Sequence, residues 1–257
     1  MKPTIYASML AVVAFAACNS STAPVPPPGP AYTTFHSQGD SAAIGDTLTA
    51  FRAALGGSLN APNAPAADSG RREINWDGVP AALTDIDTFP ATFFNVNSKR
   101  GALYVSGGTG LRVDSTAFAA VNAGLGTQFA SFSHKKLFMP VGSNRVEVDF
   151  KLSGTTTDGL VKGFGVVFTD VDRAGSTTIE FFDKNGAFLA VLTAPARTGA
   201  QEFSFVGAVF AEPIVAKVVI TSGDAALNGT ITDISAGGTN DLVAMDDFIY
   251  GEPQPLP

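Results

Sequence analysis

Cysteine is almost missing from this 257-residue chain. Cys18 is the only one, which excludes an internal disulfide and any thiolate cluster for zinc or iron–sulfur. Histidine is nearly as scarce: His36 and His134 are the only two, and neither stands in a metal spacing such as H-E-x-x-H. There is no G-x-S-x-G elbow for a nucleophilic serine. Gly107-Gly-Thr-Gly110 has no helix pattern after it and is a turn, not a phosphate loop. Basic residues never run longer than two, at Arg71-Arg72, Lys99-Arg100 and Lys135-Lys136, and the net charge is −7. Loss of Lys2 with a leader makes it one unit more negative. That balance argues against nucleic acid or an anionic bilayer surface as a partner.

What is present points to short strands. Charged residues make 15% of the chain against 45% hydrophobic, and 27 glycines and 20 phenylalanines accompany one tryptophan. Turn residues recur at short intervals, as in an all-β fold. Residues 1–17 read as an export signal, with Lys2 followed by an apolar run too short to span a bilayer stably. The run ends Phe15-Ala-Ala-Cys18, which resembles a bacterial lipobox with Phe in place of the usual Leu. Lipidation of Cys18 and anchoring in a membrane are the expectation; a signal cleaved elsewhere, with Cys18 a chance residue, is the alternative. Asn19 lacks the Asp of an inner-membrane retention signal, so the outer membrane of a bacterial envelope is favoured, facing either the periplasm or the exterior. Residues 18–30 carry five prolines and form a tether. A single domain follows over 31–252, and residues 253–257 are expected to be a tail that continues no strand.

The centre of the domain is 162–183, which reads as two strands joined by an acidic turn holding Asp170 and Asp172. A helix is predicted over 41–55, capped by Asp40 or Ser41, with Ile44, Leu48, Phe51 and Leu55 on one face and Gly56-Gly57 as its stop. Residues 145–152 alternate most cleanly, with Val146, Val148, Phe150 and Leu152 inward. Shorter alternations fall at 102–105, 111–113, 129–132, 137–138, 202–206, 216–221 and 241–250. A hairpin is predicted at 180–189, turning on Lys184-Asn-Gly186. Ten or eleven such strands make a two-sheet antiparallel sandwich, with one N-terminal helix packed on it.

Several segments occur in an order that carries a resemblance: Phe51-Arg-Ala-Ala-Leu-Gly-Gly57, Arg72-Glu-Ile-Asn-Trp-Asp-Gly-Val-Pro80, Phe93-Phe-Asn95, Gly163-Phe-Gly-Val-Val-Phe-Thr-Asp-Val-Asp172, Ile220-Thr-Ser-Gly223 and Val243-Ala-Met-Asp-Asp-Phe-Ile-Tyr-Gly-Glu252. The chain resembles a family of secreted bacterial β-sandwich proteins of unassigned function, many with PEP-CTERM-type sorting tails. The family implies no catalytic residues. Ala244-Met-Asp-Asp-Phe-Ile-Tyr250 also resembles the closing strand of jelly-roll carbohydrate-binding and galactose-binding-like domains, where an Asp often helps to hold structural calcium. That resemblance implies a jelly-roll-like sandwich of galactose-binding or concanavalin-like type.

Calcium takes six to eight oxygens, and four acids are its candidate ligands: Asp170 and Asp172 in the acidic turn, Asp246 and Asp247 on the distant last strand. Solvated turn acids are the alternative. Trp76 between Asn75 and Asp77 is a candidate sugar-stacking platform together with Tyr104 and Tyr250, although burial in a core accounts for a lone tryptophan more readily. Glu147 and Asp149 resemble the paired carboxylates of sandwich glycosidases, but the third carboxylate of that pattern is missing and a polar strand face explains them better. The reading is a binding or adhesion module without catalysis, its partner a glycan or an envelope protein. A structural matrix protein or, less readily, a glycoside-active enzyme are the alternatives.

Overall fold

The computed structural model describes residues 29–257. The signal, Cys18 and most of the tether lie outside the described residues. Fourteen strands and two α-helices follow in chain order: β1 (Tyr32–Gly39), α1 (Ser41–Leu55), β2 (Arg71–Ile74), α2 (Phe93–Val96), β3 (Ala102–Ser106), β4 (Gly110–Asp114), β5 (Leu137–Val141), β6 (Arg145–Phe150), β7 (Gly159–Leu160), β8 (Gly163–Thr169), β9 (Thr178–Phe182), β10 (Phe188–Thr193), β11 (Phe203–Phe210), β12 (Lys217–Thr221), β13 (Ala244–Gly251) and β14 (Gln254–Pro255).

The strands form an all-β sandwich. One sheet has seven strands, in the order β1-β11-β8-β13-β5-β4 with β2 also on β13; the other has five, in the order β10-β9-β12-β6-β3. Every pairing between these strands is antiparallel. The predicted hairpin at 180–189 is the β9–β10 pair, and Gly186 takes its positive φ of 76° at the turn. The central stretch is not a hairpin. β8 lies in the seven-stranded sheet and β9 in the five-stranded one, so residues 170–177 are a corner between layers. Residues 129–132 are not a strand either; their backbone amides go to side chains, Ala130 N–H to Thr169 Oγ1 and Phe132 N–H to Asp246 Oδ2. The tail also departs from expectation, since Gln254 and Pro255 pair with Leu160 and Gly159. Proline is tolerated there because the little ladder is an edge. β1 carried no readable alternation, being largely exposed along its length.

Three buried apolar clusters hold the described residues together, the third gathering Phe118, Phe129, Leu137 and Leu242. Between the sheets pack Phe138, Phe150, Phe164, Phe168, Phe181 and Phe248 with their aliphatic neighbours. Outside the seven-stranded sheet, Ile44, Leu48, Phe51 and Leu55 of α1 cover Val167, Phe205, Val209 and Ile249. Asp40 caps the helix by accepting from Ala43 N–H at 2.8 Å, and Gly56, at φ 136°, ends it. The Phe51 ring rests on two glycines that face each other across β8 and β11. A Cβ on Gly165 would stand 3.0 Å from that ring, and one on Gly207 2.8 Å. Glycine is needed there for close approach.

Candidate functional site

At the end of β8 the chain turns out of its sheet at Asp170, whose φ of 70° is left-handed, as Asp tolerates better than most residues. The next turn brings Asp172 alongside. A third acid, Asp233, comes from the long loop before β13, so that one carboxylate oxygen from each of Asp170, Asp172 and Asp233 lies within 4.8 Å of the others. Arg197, just after β10, enters between them. Its Nε donates to Asp172 Oδ1 at 2.6 Å, and its Nη2 lies 2.8 Å from Asp170 Oδ1 without hydrogen-bonding geometry. Gln128 Nε2 donates to Asp170 Oδ2 at 2.6 Å. Asp241 braces the corner from behind by accepting from the N–H groups of Asp172 and Arg173, both at 3.1 Å, and from Ser176 Oγ.

The corner carries more negative charge than it neutralises. Burial pushes the Asp170 carboxyl up to about 7; Arg197 opposes that rise, while Asp172 and Asp233 add to it. Asp172 is also raised, first by burial and further by Asp233. Three buried oxygens here have no hydrogen-bond partner: Asp170 Oδ1, Asp172 Oδ2 and the Gln128 amide oxygen. A depression of about 250 Å³ lined by Asp172, Arg197, Thr198, Gly199 and Ala200 opens beside them.

Asp246 and Asp247 do not join this group. They sit in a bulge of β13, between Met245 and Phe248, where the strand changes neighbour from β5 to β2. The opened ladder is filled by a separate network. Asp246 Oδ2 accepts from Phe132 N–H at 2.6 Å, and Ser133 Oγ, with one proton to donate, lies 2.7 Å from both Asp246 Oδ1 and Asp247 Oδ1. Burial, with the Asp247 charge beside it, pushes Asp246 up to about 8. Sequence spacing alone gave no means of telling which acids the loops would bring together; Asp233, Arg197 and Gln128 are absent from the expected set for that reason.

The expected aromatic platform is overturned. Trp76 is 1% exposed, Tyr104 2% and Tyr250 0%. Trp76 stacks on Phe138 with centroids 4.1 Å apart and 4° between planes, and its Nε1 donates to the Asp246 carbonyl. Tyr250 Oη donates to the Arg100 carbonyl at 3.0 Å. Each is a large ring with more to gain from the inter-sheet core than from water.

Aromatic surface does occur on the outer face of the five-stranded sheet. The register sets Phe188, Phe182, Lys217, Asp149 and Leu103 in one row across all five strands, and Val191, Glu180, Val219, Glu147 and Val105 in the next. Phe188 is 57% exposed, and Val191 and Val105 are each 48% exposed. Phe188 meets Phe182 edge-on at 6.0 Å, and Lys217 Nζ stands 5.3 Å from the Phe182 centroid. Lys217 also pairs with Glu147 Oε2 at 3.0 Å. Beside the first row, at Lys217 and Asp149, a depression of about 320 Å³ is lined also by Lys151, Asp158 and Lys184, among others. Burial raises the Asp149 carboxyl, while the Lys217 charge opposes the rise.

No protein-family model matches the chain, and no curated protein does. Among solved structures, the enzymatically active domain of tailspike protein 4 of bacteriophage CBA120 is 13% identical over 56% of this chain, with a TM-score of 0.18. The matched part spans 21% of that structure's length. A likeness at that level carries no argument about fold or activity.

Proposed function

We propose that this protein is a non-catalytic binding module of the bacterial cell envelope, anchored through lipid on Cys18, that lays a polysaccharide along the outer face of its five-stranded sheet. The observation that carries this reading is the two-row surface itself. Phe188 and Phe182 offer ring faces and edges to the C–H surfaces of sugars. Lys217, Glu180, Glu147 and Asp149 stand in and beside the same rows as donors and acceptors for hydroxyls. A regular sheet face suits a polymer better than a compact ligand. Glu147 and Asp149 lie on one strand face in successive rows, and the Glu147–Lys217 ion pair favours a binding role for Glu147 over chemistry. Among the described residues no helix is long and apolar enough to cross a membrane, and the proposed anchor is the lipid.

All described strands and both described α-helices lie between Tyr32 and Pro255, so a soluble form comprising residues 31–257 keeps all three apolar clusters. That form is to be tested on a panel of insoluble polysaccharides, with retention and reducing-end release read in the same wells. Retention without release is expected, and Phe188→Ala is expected to weaken it at unchanged melting temperature. Release that disappears in Asp149→Asn would overturn the non-catalytic reading. Retention indifferent to Phe188 would overturn the choice of face.

A further inference from the structure

We propose that Asp170, Asp172, Asp233 and Gln128 form a site for one divalent cation, calcium by chemistry, that ties together three loops at one end of the sandwich. This inference is independent of the polysaccharide reading.

Three carboxylates within 4.8 Å of one another face a single guanidinium, that of Arg197. In their ionised forms two negative charges remain, the charge of one divalent ion. The second observation is the set of partnerless atoms. Asp170 is 1% exposed, yet its Oδ1 accepts no hydrogen bond, and neither do the buried Asp172 Oδ2 and Gln128 Oε1. Buried oxygens of this kind ordinarily find a donor, because leaving one without costs about 1–3 kcal/mol. Here the protein supplies donors generously just behind them, with Asp241 collecting three, and leaves Asp172 Oδ2 and Gln128 Oε1 without one, while Asp170 Oδ1 has only the Arg197 Nη2 at 2.8 Å, off hydrogen-bonding geometry. A cation serves such atoms where a further N–H does not.

The donor set selects the metal. It is all oxygen, with no histidine or cysteine, which disfavours zinc and the softer transition metals. The ligands come from separate segments: the loop before β5 for Gln128, the corner after β8 for Asp170 and Asp172, and the loop before β13 for Asp233. Such a set tolerates the larger, irregular calcium shell more readily than the strict octahedron of magnesium. The 250 Å³ depression at Asp172 gives entry and room for the water ligands that complete six to eight oxygens. Asp233 is already oriented, its Oδ1 accepting from Ser235 N–H at 2.7 Å and its Oδ2 from Leu242 N–H at 2.6 Å.

The test uses the soluble form of residues 31–257, stripped with chelator and dialysed. Titration calorimetry with calcium chloride alone and thermal melts with and without the ion are the two readouts. One calcium per chain and a saturable rise in melting temperature are expected, with magnesium weaker. Asp172→Asn, at the least buried of the three carboxylates, is expected to abolish both while Trp76 emission remains that of the folded protein. Should Asp172→Asn not fold, Gln128→Leu, which removes the amide oxygen from a half-buried position, is expected to weaken calcium at least tenfold. Absence of calorimetric binding to the wild type, or equal affinity in a folded Asp172→Asn or Gln128→Leu, would overturn the site.

Discussion

Arg72 and Glu252 stand 180 residues apart in sequence and form an ion pair that is almost wholly buried, Arg72 Nη2 donating to Glu252 Oε1 at 2.8 Å and Nε contacting Oε2. Glu252 also accepts from Asn60 Nδ2 and Ser153 Oγ, and Arg72 donates to the carbonyls of Ala61 and Pro65. The pair therefore fastens β2, the loop before it and the end of β13. Removing one partner strands a buried charge, at a cost of about 3–5 kcal/mol. Arg72→Met is expected to lose about that much in urea unfolding. A loss below about 1 kcal/mol, the range of an exposed pair, would show that the site is wetter than its burial implies.

Gly207 is the second sensitive point. A methyl group there meets the Phe51 ring at 2.8 Å and the Gly165 Cα at 3.0 Å. Gly207→Ala is expected to destabilise by about 1–3 kcal/mol through overpacking. Phe51→Leu in the same chain is expected to restore part of the loss, since the two changes share one contact. Simple additivity of the two changes in thermal melts would disprove the contact.

The bulge in β13 sets a pH dependence. Asp246 rises from 3.8 to about 8 in the folded protein. The native state therefore keeps a proton that the unfolded chain has released, and stability falls wherever that difference holds. The contribution is full below 3.8 and is lost as pH rises through about 8. Urea midpoints are expected to fall across this window, and Asp246→Asn, neutral at every pH, to flatten the slope. An unchanged slope in that variant would place the titration elsewhere. Glu73 works in the opposite sense at lower pH: its carboxyl is held below the ordinary value because the hydrogen bonds and charges of Arg52 and Arg71 outweigh its burial.

Trp76 offers a direct optical check of the core. As the only tryptophan, at 1% exposure and stacked on Phe138, it is expected to emit at short wavelength and resist acrylamide quenching. Its emission is expected not to respond when polysaccharide is added. Strong quenching by acrylamide in the folded protein would contradict its burial.

The strands were legible where one face is buried and the other wet. β6 shows this best, with Val146, Val148 and Phe150 buried and Arg145 exposed. The helix was legible to the residue, because its apolar spacing, its Asp40 cap and its glycine stop all agree. Which sheet a strand joins was not legible: β8 and β9 look like neighbours in sequence and lie in different layers, a difference made by the corner rather than by either strand's pattern. β8 is buried along its whole length, so alternation marks it weakly. The acids failed as a set for a similar reason. Asp170 and Asp172 are adjacent to each other, but the partner that completes them arrives on a loop whose path carries no periodic signal. Trp76, Tyr104 and Tyr250 were misplaced because ring chemistry suits a sugar platform and an interior equally well; their neighbours in space decide.

The position of β13 has a consequence for the order of folding. This strand stands in the middle of the seven-stranded sheet, with β8 on one side and both β5 and β2 on the other, yet it follows every other strand of that sheet in the chain. Until residue 251 is available the sheet has no middle, and β2 waits through some 170 residues of later chain for the partner that pairs Ile74 with Phe248. Pairing so remote in sequence is slow and costly in loop entropy. A chain of this design cannot complete its seven-stranded sheet before β13 has entered the middle of it.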